Sequence, residues 1–187
     1  MSNNIIYFKE TGKINTITTL ETAKKRAQEL DIKQVLIASS HGYTAKEAAI
    51  IFKGTGIELI AVTNSETYKD EGWCMTASER RDIERAGVKV LTSHYALGDG
   101  VAEAFQKEGS LPNVIARTLY CFSQGMKVSV EMAIMAAEAG LVPTDKEVIA
   151  IGGTVEGADT AIVLVPVCAR KFKELRIREI LSKPRIG

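Results

Sequence analysis

Short apolar runs alternate along this chain with segments of helical period, and that alternation leaves few architectures open. It predicts strands at 5–8, 35–38, 58–63, 88–91, 147–151 and 160–165. Between them it predicts helices at 19–30, 44–53 and 78–86, then a helical stretch over 112–140, broken or kinked near Gly125. In the first helix Leu20, Ala23, Ala27 and Leu30 share a face, with Lys24, Lys25, Gln28 and Glu29 outside. Val35, Leu36, Ile37 and Ala38 are apolar on both faces, as in a strand buried within a parallel sheet. Gly54 and Gly87 stand where helices should end. The third helix is expected to open at Ser78 with an incomplete capping box. The segment 172–181 fits helix and strand equally. Repeated strand–helix units need helices over both faces of the sheet. Only GGTVEGAD separates the last two strands, too little for a crossover, so that pair should be antiparallel. The expected fold is a single α/β domain over 1–187, a three-layer sandwich with a mostly parallel sheet and an antiparallel edge strand.

Composition narrows the function classes. The chain has 187 residues, enough for a sizeable core, with 45% hydrophobic and 25% charged residues. A formal net charge of +1 gives no bulk field for nucleic acid. The tail over 166–187 is basic, with Arg170, Lys171, Lys173, Arg176, Arg178, Lys183 and Arg185 against Glu174 and Glu179. Only Phe172 interleaves there, so a solvated basic face is expected, and no nucleic-acid partner. Cys74, Cys121 and Cys168 are odd in number and widely spaced, which fits a reducing cytoplasm better than a disulfide or zinc scaffold. His41 and His94 are the only histidines, and no metal site is expected. No signal peptide and no apolar run long enough to span a bilayer is visible, so no membrane partner is expected.

The stretch QVLIASSHGYTAKEAA, residues 34–49, has the layout of an anion pocket. A strand runs through Ser39, Ser40, His41 and Gly42 into a helix that opens at Thr44 and Ala45. Hydroxyls and backbone N–H groups converge there on the positive end of a helix dipole. The same residues also read as a plain strand-to-helix turn capped by Thr44. No GxxxxGK[ST] pattern is present.

In open α/β sheets ligands bind beyond the carboxyl ends of the strands. Asn15 and Thr16, then Ser39 to Thr44, then Thr63, Asn64 and Ser65 fall at such ends. So do Thr92, Ser93 and His94, and Gly152, Gly153 and Thr154. The run GGTVEGADTA, residues 152–161, brings Gly152, Gly153 and Gly157 together and suits a phosphate or a flat ring. It reads equally as a hairpin turn in which Asp159 caps its own loop. The helix around KVSVEMAIMAAEAG carries Lys127, Glu131 and Glu138 on one stripe and is otherwise apolar. One face should pack on the sheet, and the other should meet a second subunit, giving a homo-oligomer, the alternative being that the tail segment Phe172 to Leu181 folds over it. No GxSxG elbow occurs. Cys74, in EGWCMTA beside the only tryptophan, reads as a buried bystander or a reactive thiol.

The order strand–SSxGxTA–helix, strand–AVT, QGMKVSVEMAIMAAEAGLV, then strand–GGT–turn–DTA–strand resembles the C-terminal α/β domain of pyruvate kinase. The resemblance covers about 34–165 and makes 1–33 look like an addition found in small stand-alone relatives. In pyruvate kinase that domain carries an allosteric effector site, with a Ser/Thr-Gly loop gripping a phosphate. The barrel that performs phosphotransfer has no counterpart in this sequence, so kinase activity is not implied. The stand-alone relatives look like flavin mononucleotide (FMN) binders. Carried over by position, the resemblance implies a phosphate loop of Ser39, Ser40, Gly42, Thr44 and Ala45. It implies a second segment of Gly152, Gly153, Thr154, Gly157, Asp159 and Thr160. Together with Asn15, Thr16 and Thr63, these are the candidate cofactor-binding residues. The expected function is a ligand-binding domain for a phosphorylated small molecule, FMN. The alternatives are a flavin-dependent oxidoreductase and a regulatory domain for a sugar phosphate.

Overall fold

The β-branched and aliphatic runs pair into one seven-stranded sheet, described by a computed structural model over residues 4–98, 100–105 and 109–186. In chain order the strands are β1 (Ile6–Phe8), β2 (Gln34–Ala38), β3 (Glu58–Thr63), β4 (Lys89–Thr92), β5 (Val148–Gly152), β6 (Thr160–Val165) and β7 (Arg176–Pro184). The helices are α1 (Thr16–Glu29), α2 (Tyr43–Ile51), α3 (Ala77–Arg85), α4 (Val101–Phe105), α5 (Leu111–Tyr120) and α6 (Gln124–Glu138). The sheet order is β1-β7-β6-β5-β2-β3-β4.

Alternation along the strands divides the core into two. Val35, Ile37, Leu59, Ala61, Ile149, Ile151, Ala161 and Val163 face Leu20, Ala23 and Ala27 of α1, Ala45 and Ala48 of α2, and Ile83 of α3. Leu36, Ile60, Val62, Ala150, Ile162 and Leu164 face the other way, onto Met126, Val130, Ala133 and Ile134 of α6. Side chains one residue apart on a strand point to opposite faces, so each central strand is buried on both sides and a three-layer sandwich results.

The antiparallel strand is not at the edge. β6 runs antiparallel to β5 and to β7, while β7 pairs with β1 in parallel. The undecided tail is the reason: Arg176–Pro184 extends and pairs along β6, and Ile6–Phe8 caps it, so β6 becomes interior. Only β6 opposes the rest, and the sheet stays mostly parallel. The tail's cations are partly paired across the fold and within the tail: Arg178 with Glu147 at 3.7 Å, Lys171 with Glu174 at 3.9 Å.

The break expected near Gly125 is present, and one helix start differs from expectation: α3 is capped by Thr76, not Ser78. Thr76 Oγ1 accepts from Glu79 N–H at 3.2 Å, and Glu79 Oε2 accepts from Thr76 N–H at 2.8 Å, completing the capping box. The long helix breaks ahead of Gly125, where Ser123 caps α6 by accepting from Met126 N–H at 2.9 Å. Phe172 and Leu175 from the tail pack against the α6 core cluster. α6 is thus buried nearly all round within its own chain, which removes the ground on which a second subunit was expected there. Among the described residues no helix is long and apolar enough to cross a membrane.

Candidate functional site

Six strands point the same way, so their carboxyl ends share one rim of the sheet. The chain leaves β2 toward β3 on one side and returns through α4, α5 and α6 to β5 on the other. The loops after β2 and β5 therefore flank the point where the strand order reverses, the position favoured for ligands in such sheets.

The loop after β2 turns at Gly42, whose φ of 92° is left-handed and whose missing Cβ would lie 2.7 Å from Ile83 Cδ1. Gly42 is the N-cap of α2 and supplies no side chain, so Thr44 is not the cap. Ser39 takes that role from a distance: its buried Oγ accepts from Ala45 N–H at 3.2 Å. The N–H groups of Tyr43 and Thr44 find no acceptor among the described residues, and neither does the buried Thr44 hydroxyl find a partner. Two amides and one hydroxyl thus remain at the positive end of α2. Lys13 brings a cation to the same place, with its Nζ 4.3 Å from the centre of the Tyr43 ring. Lys13 also pairs with Glu156 at 2.7 Å, and that hydrogen bond raises its pKa.

The glycine-rich loop after β5 has a different character. Asp159 is fully buried, and its Oδ2 accepts from Gly12 N–H at 2.8 Å and Thr154 N–H at 3.1 Å. Its Oδ1 accepts from Thr160 Oγ1 at 2.8 Å. Thr16 Oγ1 accepts from Ala158 N–H at 3.0 Å, and Asn15 Nδ2 donates to Glu10 O at 2.9 Å. A Cβ on Gly157 would lie 2.5 Å from Lys13 Cα, and one on Gly152 would lie 2.5 Å from Gly125 O. A Cβ on Gly153 would meet Gly157 O at 2.3 Å, with no positive φ involved. These glycines let three pieces of the same chain touch: residues 12–16, the start of α6, and the loop itself. Asn15, Thr16, Gly152, Gly153, Thr154, Gly157, Asp159 and Thr160 come together, as a hydrogen-bonded joint within the chain.

Thr63 is buried, with its Oγ1 2.7 Å from Thr92 Oγ1 across β3 and β4. The residue that reaches the loop after β2 is its neighbour. Asn64 Nδ2 donates to Ser40 Oγ and to Trp73 O, each at 3.0 Å, and its Oδ1 accepts from Tyr95 Oη at 2.7 Å. Asn64 was visible as a polar residue at a strand end. Lys13, Tyr43 and Tyr95 carried no sequence signal, because their contacts join segments far apart in the chain. His41 lies 3.3 Å from Glu79, exposed beside the start of α3. Partial burial pushes the Cys74 thiol up, and its Sγ donates to Ser65 O at 3.2 Å, so it stays a thiol. Two surface grooves lie elsewhere, one by Glu84, Val88 and Leu141 and one by Ile6, Arg26 and Arg178.

Comparison with known proteins agrees with this architecture. The profile of the family described as pyruvate kinase, alpha/beta domain, matches residues 18–164. The match starts inside α1, so that helix lies within the family region and not in an addition ahead of it. Among solved structures the chain is similar to a pyruvate kinase from Cryptosporidium parvum, at 16% identity and a TM-score of 0.43. The similarity takes in 81% of this chain and 23% of that one, so the chain spans less than a quarter of that relative's length.

Proposed function

The chain belongs to the pyruvate kinase α/β domain family, and from that premise we propose that it binds a phosphorylated small molecule, FMN, at the start of α2. One observation carries the reading: in the first turn of α2 two N–H groups and the Thr44 hydroxyl have no partner among the described residues, with the Lys13 ammonium against Tyr43. A phosphate dianion placed there gains charge-assisted hydrogen bonds and the favourable end of the helix dipole. Ser39, Gly42 and Ala45 shape the turn, Ser40 offers a further hydroxyl, and the joint around Asp159 holds Lys13 in place.

The test is a titration of the protein with FMN, followed in the flavin absorbance band near ~450 nm, on wild type and Thr44→Val. Valine keeps the volume and removes the hydroxyl. The affinity should fall by about 1–2 kcal/mol, and an unchanged affinity in a folded variant removes the loop from the site. Ribose 5-phosphate that binds as tightly as FMN identifies a sugar-phosphate regulatory module instead. Turnover of a reduced nicotinamide on flavin-loaded protein identifies an oxidoreductase. We further propose that the chain works in the cytoplasm, where its three free cysteines stay reduced. Self-association is proposed through the exposed Leu111 and Val114 of α5 and the adjoining Phe122, not through α6.

A further inference from the structure

Trp73 is the only tryptophan of the chain, and about half of its surface, 52%, is exposed. It is nevertheless held on both its ring and its backbone. The indole stacks on Tyr68, with centroids 5.2 Å apart and 26° between planes, and Tyr68 in turn meets Tyr95 at 5.4 Å. The Trp73 carbonyl accepts from Asn64 Nδ2, the same nitrogen that donates to Ser40 Oγ in the loop after β2. That carbonyl and that hydroxyl are therefore no farther apart than two 3.0 Å bonds laid end to end. Tyr95, the third ring, is bonded to Asn64 Oδ1. One half-buried amide thus ties a three-ring cluster to the loop proposed to hold phosphate.

We propose that Trp73 is the stacking platform for a planar aromatic ring on the ligand whose phosphate sits at the start of α2. This rests on the phosphate reading above and sharpens it: the ligand class is a phosphate ester carrying a flat π-system, not a bare sugar phosphate. A ring held by stacking on one side and solvated on the other binds a second ring with little ordering cost. On one flank of β2, residues 12–16 pack tightly against the glycine loop after β5, where a Cβ on Gly157 would lie 2.5 Å from Lys13 Cα. The cluster around Trp73 follows β3, on the opposite flank.

The experiment uses the full chain, with FMN and ribose 5-phosphate as probes and calorimetry beside the emission of the single tryptophan. Wild type should bind FMN more tightly than ribose 5-phosphate, with quenching of Trp73 emission. Trp73→Ala should weaken FMN by about tenfold, from the loss of one base-type stacking contact, and leave ribose 5-phosphate unchanged. Trp73→Phe should retain most of the FMN affinity. Unchanged FMN binding in Trp73→Ala overturns the platform, and so does an equal loss for both probes, which marks a structural role. If ribose 5-phosphate binds and FMN gains nothing over it, the platform falls and the phosphate site stands. If neither probe binds wild type, both readings fall together.

Discussion

Replacing Asp159 by alanine and by asparagine should give unequal losses of stability. The carboxylate is fully buried and accepts from Gly12 N–H, Thr154 N–H and Thr160 Oγ1. In Asp159→Ala all three donors lose this acceptor. The Thr154 amide is half-buried and can turn to water, and the Thr160 hydroxyl can turn to Ser123 Oγ, 3.0 Å away, which leaves the buried Gly12 N–H stranded. One stranded buried donor costs about 1–3 kcal/mol, and with the lost charge-assisted bonds the total comes to about 3 kcal/mol. At this chain length that is a fall in Tm of roughly 6–12 °C. Asp159→Asn is different. Its amide oxygen can stay where Oδ2 is and keep both N–H bonds, leaving the NH2 toward Thr160. The Thr160 hydroxyl can then accept from that NH2 and donate to Ser123 Oγ, already 3.0 Å away. What remains is the loss of charge assistance, about 1 kcal/mol. Differential scanning calorimetry on the two ligand-free variants decides it. Equal losses, or an alanine variant that melts with wild type, would falsify the account of Asp159 as the clamp of this loop.

Two further outcomes follow from the geometry. The Glu79 carboxylate is held below its ordinary range, first by the Thr76 N–H and also by the Thr76 hydroxyl and His41. Its folded value is lowered, so its contribution is complete above the ordinary glutamate pKa and fades as pH falls through the folded one. In urea unfolding from about pH 6 to about pH 3, the advantage of wild type over Glu79→Gln should therefore shrink; an advantage that grows toward acid contradicts the capping box. Light scattering should show an assembly larger than a monomer for wild type and a monomer for the double variant Leu111→Glu, Val114→Glu; a monomeric wild type at micromolar concentration ends the proposal of self-association.

The parts of the fold set by local chemistry were legible. Strand–helix alternation named the central strands β2, β3, β5 and β6 and helices α1 to α3 within a few residues, because each buries a periodic apolar face. The T-x-x-E signal at Thr76 and Glu79 was also present in the chain but was assigned to Ser78, two residues late. Ser123 likewise carried a cap signal ahead of α6, which Gly125 obscured. β7 was not legible. Its burial runs from exposed at Arg176 to buried at Leu181, with no regular alternation, since it is set by pairing with β6 on one side and β1 on the other. The apolar circumference of α6 was legible, and of the two covers the sequence allowed, a second subunit or the tail, the tail is the one seen within the chain. The cover of α6 comes from α5 and from Phe172 and Leu175, residues whose arrival depends on where β7 leads the tail.

The candidate site divides along the same line between local and long-range causes. A run of Gly152, Gly153 and Gly157 announces close approach by something, and sequence alone leaves the visitor unnamed. Here the visitor is the chain itself. Gly12 donates to Asp159, Lys13 Cα lies where a Gly157 Cβ would be, and Gly125 O lies where a Gly152 Cβ would be. A loop so occupied has little backbone left to offer a ligand. The segment that fills it ends by carrying Lys13 across to Tyr43, at a helix start where two amides find no acceptor among the described residues. Glycine packing after β5 and the anion affinity proposed after β2 would then be two halves of one arrangement. The first fixes the N-terminal segment on the rim of the sheet, and the second would use the cation that segment delivers. On that proposal a ligand would lie away from the occupied glycine loop, toward Ser40, Asn64 and the rings beyond. This is why loosening the joint at Asp159 should also weaken phosphate binding, through Lys13, even though no Asp159 oxygen is free to touch the ligand.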